Sequence, residues 1–185
     1  NECISKGYEG IIVKSQEENS TYKAGARDWS WIKWKQDYIT DAVDTLDLVV
    51  VGAFYGKGKR SGNYGSLLCA TYNSEEDVFE TISKLGTGMT DEILKQLPPL
   101  LETHKVDDKP ARVNANKDMY PDVWFEPSVV VEVLATEVTR GNLHTCSQIN
   151  GKGLALRFPR FIQIRENKSS EQATTSREVE EIFNN

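Results

Sequence analysis

The sequence contains little cysteine and histidine for its 185 residues. Its three cysteines, Cys3, Cys69 and Cys146, are widely separated and form no C-x-x-C pair. This argues against a disulfide framework and a zinc site, and it indicates a reducing compartment. His144 and Cys146 are the only close pair of soft metal ligands, with His104 as the only other histidine. We therefore expect no metal centre built from these residues.

Long apolar runs are also absent. No segment is long enough to cross a bilayer, and the first residues, N-E-C-I-S-K, lack the basic and apolar regions of a signal peptide. The chain does not begin with Met, so we expect it to be a fragment of a longer protein. We expect an intracellular location and no membrane partner. A composition of 38% hydrophobic and 27% charged residues is ordinary for a globular domain. The length fits one domain, or one domain with part of another.

The charge of the chain is unevenly distributed. The net charge is −6, which alone argues against a nucleic-acid partner. Residues 75–92 carry six acids against one lysine, whereas residues 140–168 carry six bases against one glutamate. Because local potential decides where a polyanion docks, the second region keeps a nucleic-acid partner open.

Hydrophobic patterning predicts a mainly β fold with few helices. Two or three strands are expected before residue 38, and a continuous apolar strand at 48–55 is expected to be buried on both faces. Thr90, Asp91 and Glu92 predict a helix start, with Pro98-Pro99 ending or kinking that helix. Several short strands with one interposed helix and a closing helix favour an OB-fold Greek-key barrel. The further predicted strands are 66–72, 78–85, 122–125 and 129–138, and Thr175 with Glu178 predicts a capping box for the C-terminal helix.

The segment W-I-K-W-K at residues 31–35 alternates between two kinds of side chain. In a strand, Trp31, Lys33 and Lys35 share one face, and Ile32 and Trp34 share the other. Two lysines on one face repel each other unless an anion lies between them, and phosphate is the usual anion. The alternative is an exposed edge strand whose lysines resist aggregation.

A glycine-rich loop and one isolated acid complete the candidates. The loop 56–65 contains four glycines and the bases Lys57, Lys59 and Arg60. It is expected either to contact a phosphate backbone or to be a solvated loop. Glu132 lies in an otherwise apolar strand, and we expect it to pair with an arginine rather than to take part in catalysis.

Several motifs occur in the order used by one enzyme family. They are E-G-I-I-V-K at 9–14, W-I-K-W-K at 31–35, D-L-V-V-V-G-A at 47–53, G-K-R at 58–60, D-V-W at 122–124, R-F-P-R to Lys168 at 157–168, and A-T-T-S at 173–176. In this set the chain resembles the C-terminal portion of replicative ATP-dependent DNA ligases of the archaeal and eukaryotic type. The resemblance implies that residues 1–38 end an adenylation domain and that residues 39–185 form the OB-fold domain.

The resemblance also implies roles for individual residues. Glu9 would be the motif IV carboxylate that places Mg²⁺, and Lys33 and Lys35 would be the motif V lysines that neutralise the α-phosphate of ATP. These three are the candidate catalytic residues. The candidate nucleotide-binding residues are Lys14, Arg27, Trp31 and, from motif VI (157–168), Arg157, Arg165 and Lys168. The candidate DNA-binding residues are Lys57, Lys59, Arg60 and Arg160.

Two features depart from the family pattern. The nucleophile motif K-x-D-G is absent, so the chain alone is expected to be inactive. Asn167 stands where motif VI commonly has aspartate. Lys168 is therefore expected to be less firmly held, because an aspartate there would bind it through a charge-assisted hydrogen bond.

The implied function is the sealing of 5′-phosphate/3′-hydroxyl nicks in duplex DNA during replication, repair and recombination, through enzyme–AMP and DNA–adenylate intermediates. The implied cofactors are ATP and Mg²⁺. We expect a monomer in the cytoplasm of an archaeon or the nucleus of a eukaryote, with any sliding-clamp contact made by other parts of the protein. One alternative is the C-terminal region of an mRNA capping guanylyltransferase. Another is a non-catalytic OB-fold module that binds nucleic acid.

Overall fold

The computed structural model describes residues 2–6, 8, 10–18, 20–21, 30–35, 44–58 and 61–185. The chain divides into two compact units, Asn1–Asp41 and Ala42–Asn185.

The first unit is built on a β-hairpin. After a short helix, α1 (Glu2–Ser5), strand β1 (Gly10–Lys14) pairs antiparallel with β2 (Trp31–Lys35). Both strands were predicted and are confirmed. One face of the hairpin is apolar and exposed, and it consists of Ile11, Val13, Ile32 and Trp34.

The second unit is mainly β, as predicted. Its strands are β3 (Asp44–Tyr55), β4 (Tyr64–Asn73), β5 (Val78–Leu85), β6 (Lys105–Val106), β7 (Val113–Asn114), β8 (Val123–Phe125), β9 (Val130–Ala135), β10 (Glu137–Gly141), β11 (Cys146–Ile149), β12 (Lys152–Arg157) and β13 (Arg160–Ile164). Its helices are α2 (Asp91–Glu102) and α3 (Ser176–Asn184), with short 3₁₀ turns at Lys117–Met119 and Ser170–Gln172.

Strand β3 is the centre of this unit. It pairs with β4 along one edge and with β9 and β8 along the other. Alternate side chains of β3 enter two different hydrophobic clusters: Leu48 and Val50 lie in one, and Val49 and Val51 in the other. All four are fully buried, which confirms that this strand is covered on both faces.

The strands form two sheets. The larger has eight strands, with the main order β13-β9-β3-β4-β5-β7; β8 also pairs with β3, and β6 pairs with β8. The smaller has the order β10-β12-β11. The Thr145 amide, just before β11, donates to the Thr81 carbonyl of β5 over 3.0 Å, so the smaller sheet continues from the larger one at β5.

Helix α2 begins where the sequence predicted. The Thr90 hydroxyl accepts a hydrogen bond from the Ile93 amide over 3.3 Å. Pro98-Pro99 does not end this helix, which runs on to Glu102, so that half of the expectation is corrected. Leu97 and Leu101 lie on either side of the prolines and are buried in the core. This burial stabilises the last turn despite the missing amide donors.

Helix α3 is fixed by a buried polar network. Thr175 and Glu178 form the predicted capping box. At the first turn the Ser176 hydroxyl donates to the Glu80 carboxylate over 2.6 Å, and that carboxylate also accepts from the Ser147 amide and from Asn73, each over 3.0 Å. The three donors satisfy a carboxylate that would otherwise be costly to bury.

Candidate nucleotide and nucleic-acid interface

The hairpin aligns candidate residues on one face. The register pairs Lys14 with Trp31, Ile12 with Lys33 and Gly10 with Lys35, so these six residues share the face opposite the apolar one. Lys14 Nζ lies 4.1 Å from the centroid of the Trp31 ring, a cation–π contact that orients both side chains. Lys33 is exposed on the same face. The arrangement presents ammonium groups beside an aromatic ring, which suits an anionic nucleotide.

Other predicted residues of this unit cannot be placed. Glu9 and Arg27 lie outside the described residues, as does the side chain of Lys35. Their assigned roles remain predictions.

In the second unit, the end of motif VI gathers two of its cations on one acid. Asp47 lies on β3, and its Oδ1 is 3.3 Å from Nη1 of Arg165, which directly follows β13. The other oxygen of Asp47 accepts a hydrogen bond from Nζ of Lys168. Asp47 on β3 therefore contacts both Arg165 and Lys168.

Glu132 on β9 completes this cluster. Its Oε2 lies 3.4 Å from Nη1 of Arg165 and accepts a hydrogen bond from Gln163 over 2.6 Å. The hydrogen bond from Gln163 lowers the pKa of Glu132, with smaller contributions from Thr45 and Arg165 and partial opposition from burial. The expectation that Glu132 pairs with an arginine is confirmed.

Lys168 has a carboxylate partner outside motif VI. Asn167 is exposed in the turn that follows β13. Asp47 on β3 binds Lys168, and the effect of asparagine at position 167 stays a prediction. The family motif has a carboxylate at position 167, whereas in this chain a carboxylate for Lys168 comes from Asp47 on β3.

The start of motif VI lies apart from this cluster in its contacts. Arg157 ends β12 and faces Glu137 on β10, with Nη1 3.6 Å from Oε2. Phe158 follows at φ +50° and is half exposed, with the Arg157 guanidinium 5.1 Å from its ring centroid. Arg160 is exposed at the start of β13. Arg157 and Arg160 are therefore available to a partner from solvent.

The glycine-rich loop is anchored at its base. The Asp122 carboxylate accepts from the Tyr55 amide over 2.7 Å, at the end of β3. Gly65 lies so close that a Cβ there would be 2.6 Å from the Cα of Gly56, so only glycine fits at this crossing. Lys57 is exposed, whereas Lys59 and Arg60 lie outside the described residues.

Sequence reasoning assigned no role to three acids that the structure makes important: Asp47, Glu80 and Asp122. Asp47 and Asp122 each occur in a motif that carries the resemblance. Their function depends on partners far away in the sequence, which spacing within a motif does not show.

The described part of the chain contains no group of three His, Cys, Asp or Glu residues placed to hold a metal ion. None of the helices described there is long and apolar enough to span a membrane.

Comparison with known proteins identifies the family. Residues 60–168 match the family model described as the ATP dependent DNA ligase C terminal region. The chain is 49% identical over 183 residues to DNA ligase 1 of Methanosarcina acetivorans, covering 98% of this chain and 32% of that protein. It is 47% identical over 185 residues to the DNA ligase of Ignicoccus hospitalis, covering 98% of this chain and 31% of that protein.

Two solved structures of DNA ligases also match this chain. The ligase domain of LigD from M. tuberculosis superimposes with a TM-score of 0.57 at 26% identity, covering 94% of this chain and 50% of that one. A mycobacterial DNA ligase D complexed with ATP and MES gives a TM-score of 0.53 at 25% identity, with coverage of 94% and 49%. The predicted OB-type fold is confirmed. The chain belongs to the family of ATP-dependent DNA ligases, within their C-terminal region, and it spans about a third of the length of the curated relatives named above.

Proposed function

We propose that this chain is the C-terminal part of a DNA ligase that uses ATP and Mg²⁺ to seal nicks in duplex DNA. The observation that carries the proposal is the identity of 47–49% that extends over 98% of the chain. It therefore covers both the hairpin and the second unit, Ala42–Asn185, which is called the barrel from here on. A protein that used only the barrel to bind nucleic acid would not require the lysine-bearing face of the hairpin.

In this proposal the hairpin acts on the phosphate that changes partners. Lys33 and Lys35 neutralise the charge on the α-phosphate, first when the enzyme is adenylated and later when AMP passes to the DNA end and leaves it. Phosphoryl transfer depends chiefly on such positioning and charge stabilisation. Lys14, Trp31 and Arg27 bind the nucleotide. Glu9 would hold Mg²⁺ together with substrate phosphates, since one carboxylate with phosphate oxygens is a common way of binding this ion.

In this proposal the barrel binds the departing pyrophosphate and the nicked DNA. Arg157, Arg165 and Lys168 orient the pyrophosphate that departs from ATP. Lys57, Lys59, Arg60 and Arg160 bind the sugar–phosphate backbone of the nicked DNA. Arg160 and Lys57 are exposed at the surface of the barrel, which supports contact with a polyanion.

The proposal is tested with the full-length protein and with the 185-residue chain. Each is incubated with Mg²⁺ and labelled ATP or GTP, and covalent label is measured after denaturation. We expect the full-length protein to take label from ATP and to seal a nick, and the chain alone to take none. Label from GTP in place of ATP would favour the capping enzyme. Label on the chain alone would contradict the assignment of the nucleophile to another part of the protein.

A further inference from the structure

Two carboxylates lie side by side on the curled sheet, beneath the end of motif VI. Asp47 and Glu132 are direct partners in the antiparallel ladder of β3 and β9, and Glu132 is in turn the partner of Gln163 on β13. Like charges directly opposite each other destabilise a sheet. The pair therefore requires positive charge close by.

Motif VI supplies that charge through two different atoms. Arg165 places Nη1 between the two acids, 3.3 Å from Asp47 and 3.4 Å from Glu132. Lys168 binds the second oxygen of Asp47. Asp47 thus uses one oxygen for each cation, which fixes the two cations relative to each other.

Asp47 is the most firmly placed member of this cluster. Its backbone amide donates to the Thr174 hydroxyl over 2.9 Å, and its carbonyl accepts from the Thr174 amide over 2.8 Å. Its side chain is 12% exposed, against 25% for Arg165 and 31% for Lys168. The acid is an anchor, and the cations lie between it and solvent.

The cations keep donors for another anion. The side-chain contacts of Arg165 within the described residues all involve Nη1, so Nε and Nη2 are available. The ammonium group of Lys168 can donate three hydrogen bonds, and it donates one of them to Asp47. A polyphosphate could therefore bind both side chains without displacing the anchor.

We propose that Asp47 is a positioning residue for nucleotidyl transfer: it holds Arg165 and Lys168 at a fixed separation with their remaining donors directed toward the departing pyrophosphate. The role rests on the function proposed above. Asp47 touches no reacting atom, and it performs from β3 the task that the family pattern gives to an acid at position 167.

The test is a double-mutant cycle in the full-length protein. Asp47→Asn keeps the size of the side chain and removes its charge. We expect the maximal rate of enzyme–AMP formation to fall about tenfold, because the substitution removes the charge that pairs with Arg165 and that strengthens the hydrogen bond from Lys168. Sealing of a pre-adenylated nick should stay at the parental rate. In a Lys168→Met background part of this effect should disappear, since Asp47 acts through both Lys168 and Arg165.

Asp77→Asn is the matched control. It removes a carboxylate that faces Arg112 at 2.5 Å on the same barrel, away from the motif VI cluster, and it should change neither rate. Asp47→Glu retains the charge and should recover part of the lost rate.

Three results would overturn the proposal: an unchanged rate of enzyme–AMP formation in Asp47→Asn, an equal loss in both steps, or a full effect that persists beside Lys168→Met. Failure of Asp47→Asn to fold would make Asp47 a residue of stability and would also overturn it. If the parental protein itself forms no enzyme–AMP, the proposed function fails before the role of Asp47 is reached.

Discussion

The hairpin and the barrel use similar strands in opposite environments. In the barrel, Leu48 and Val49 on successive positions of β3 are both fully buried. In the hairpin, Ile12 and Trp34 lie on opposite faces and are each more than half exposed. A two-stranded hairpin is at best marginally stable in water without a covering layer. The comparison indicates that the barrel carries its own stability and that the hairpin depends on further contacts.

The cationic side chains of the two regions also have different partners. On the hairpin, Lys14 packs over an indole ring and Lys33 is exposed. On the barrel, Arg165 and Lys168 are ion-paired with acids from β3 and β9. A cation held by a carboxylate is precisely placed, which matches a fixed orienting role for Arg165 and Lys168.

The largest effect we expect is a difference in unfolding free energy between a core substitution in the barrel and a surface substitution in the hairpin. Phe79 is fully buried, and Phe79→Ala should destabilise the 185-residue chain by about 4 kcal/mol through reduced burial and the cavity that remains. Trp34→Ala on the hairpin should change the same unfolding free energy by less than about 0.5 kcal/mol. Denaturant unfolding followed by circular dichroism measures both. Comparable losses in the two variants would show that the hairpin and barrel share one core.

An intermediate effect concerns pH and again belongs to the barrel. His144 is buried, Nδ1 has no hydrogen-bond partner among the described residues, and burial lowers the pKa of His144 to about 4. Histidine in the unfolded chain has a pKa of about 6.5. At pH values between about 6.5 and about 4, His144 therefore binds a proton in the unfolded state but not in the folded state. Stability should therefore fall as the pH is lowered through this window.

The size of that effect can be measured by substitution. Between pH 7 and pH 5, wild-type protein should lose about 2 kcal/mol of unfolding free energy that His144→Gln does not lose. Denaturant unfolding at the two pH values gives the difference directly. Parallel losses in the two proteins would mean that His144 is protonated in the fold.

The smallest effect we expect is on DNA affinity. Neutralising Lys57, Lys59 and Arg60 together should lower the salt slope of nicked-DNA binding by roughly 0.9 for each phosphate that the loop no longer binds, independently of sequence. Neutralising three other lysines of the barrel, Lys95, Lys105 and Lys117, serves as the control and should leave the slope unchanged. An unaltered slope in the loop variant would assign the loop to solvent.

Much of the fold could be predicted because its signals are local. The β-branched run of β3, the Thr90 cap and the Thr175–Glu178 capping box each depend on neighbours in the sequence. The continuation of α2 through Pro98-Pro99 could not be predicted, because it depends on the burial of Leu97 and Leu101 in a core built by distant strands.

The candidate site was predictable to a lesser extent. The charged residues were found by motif, but their partners were not. Asp47 and Lys168 are separated by 121 positions in the sequence, and only the register of β3, β9 and β13 brings the acid and the cation together. The expected effect of Asn167 stays a prediction, and the sequence motif alone did not show that a carboxylate from another strand also binds Lys168.

The central claim is that the hairpin acts in every chemical step and the end of motif VI only in the first. Single-turnover rates of enzyme–AMP formation and of pre-adenylated nick sealing, measured for Lys33→Ala and Lys168→Ala in the full-length protein, test it most directly. Lys33→Ala should slow both steps about a hundredfold, because each step then proceeds without a charge beside the transferred phosphate. Lys168→Ala should slow enzyme–AMP formation and leave sealing at the parental rate. Equal losses in both steps for Lys168→Ala, or parental rates for Lys33→Ala, would contradict the account.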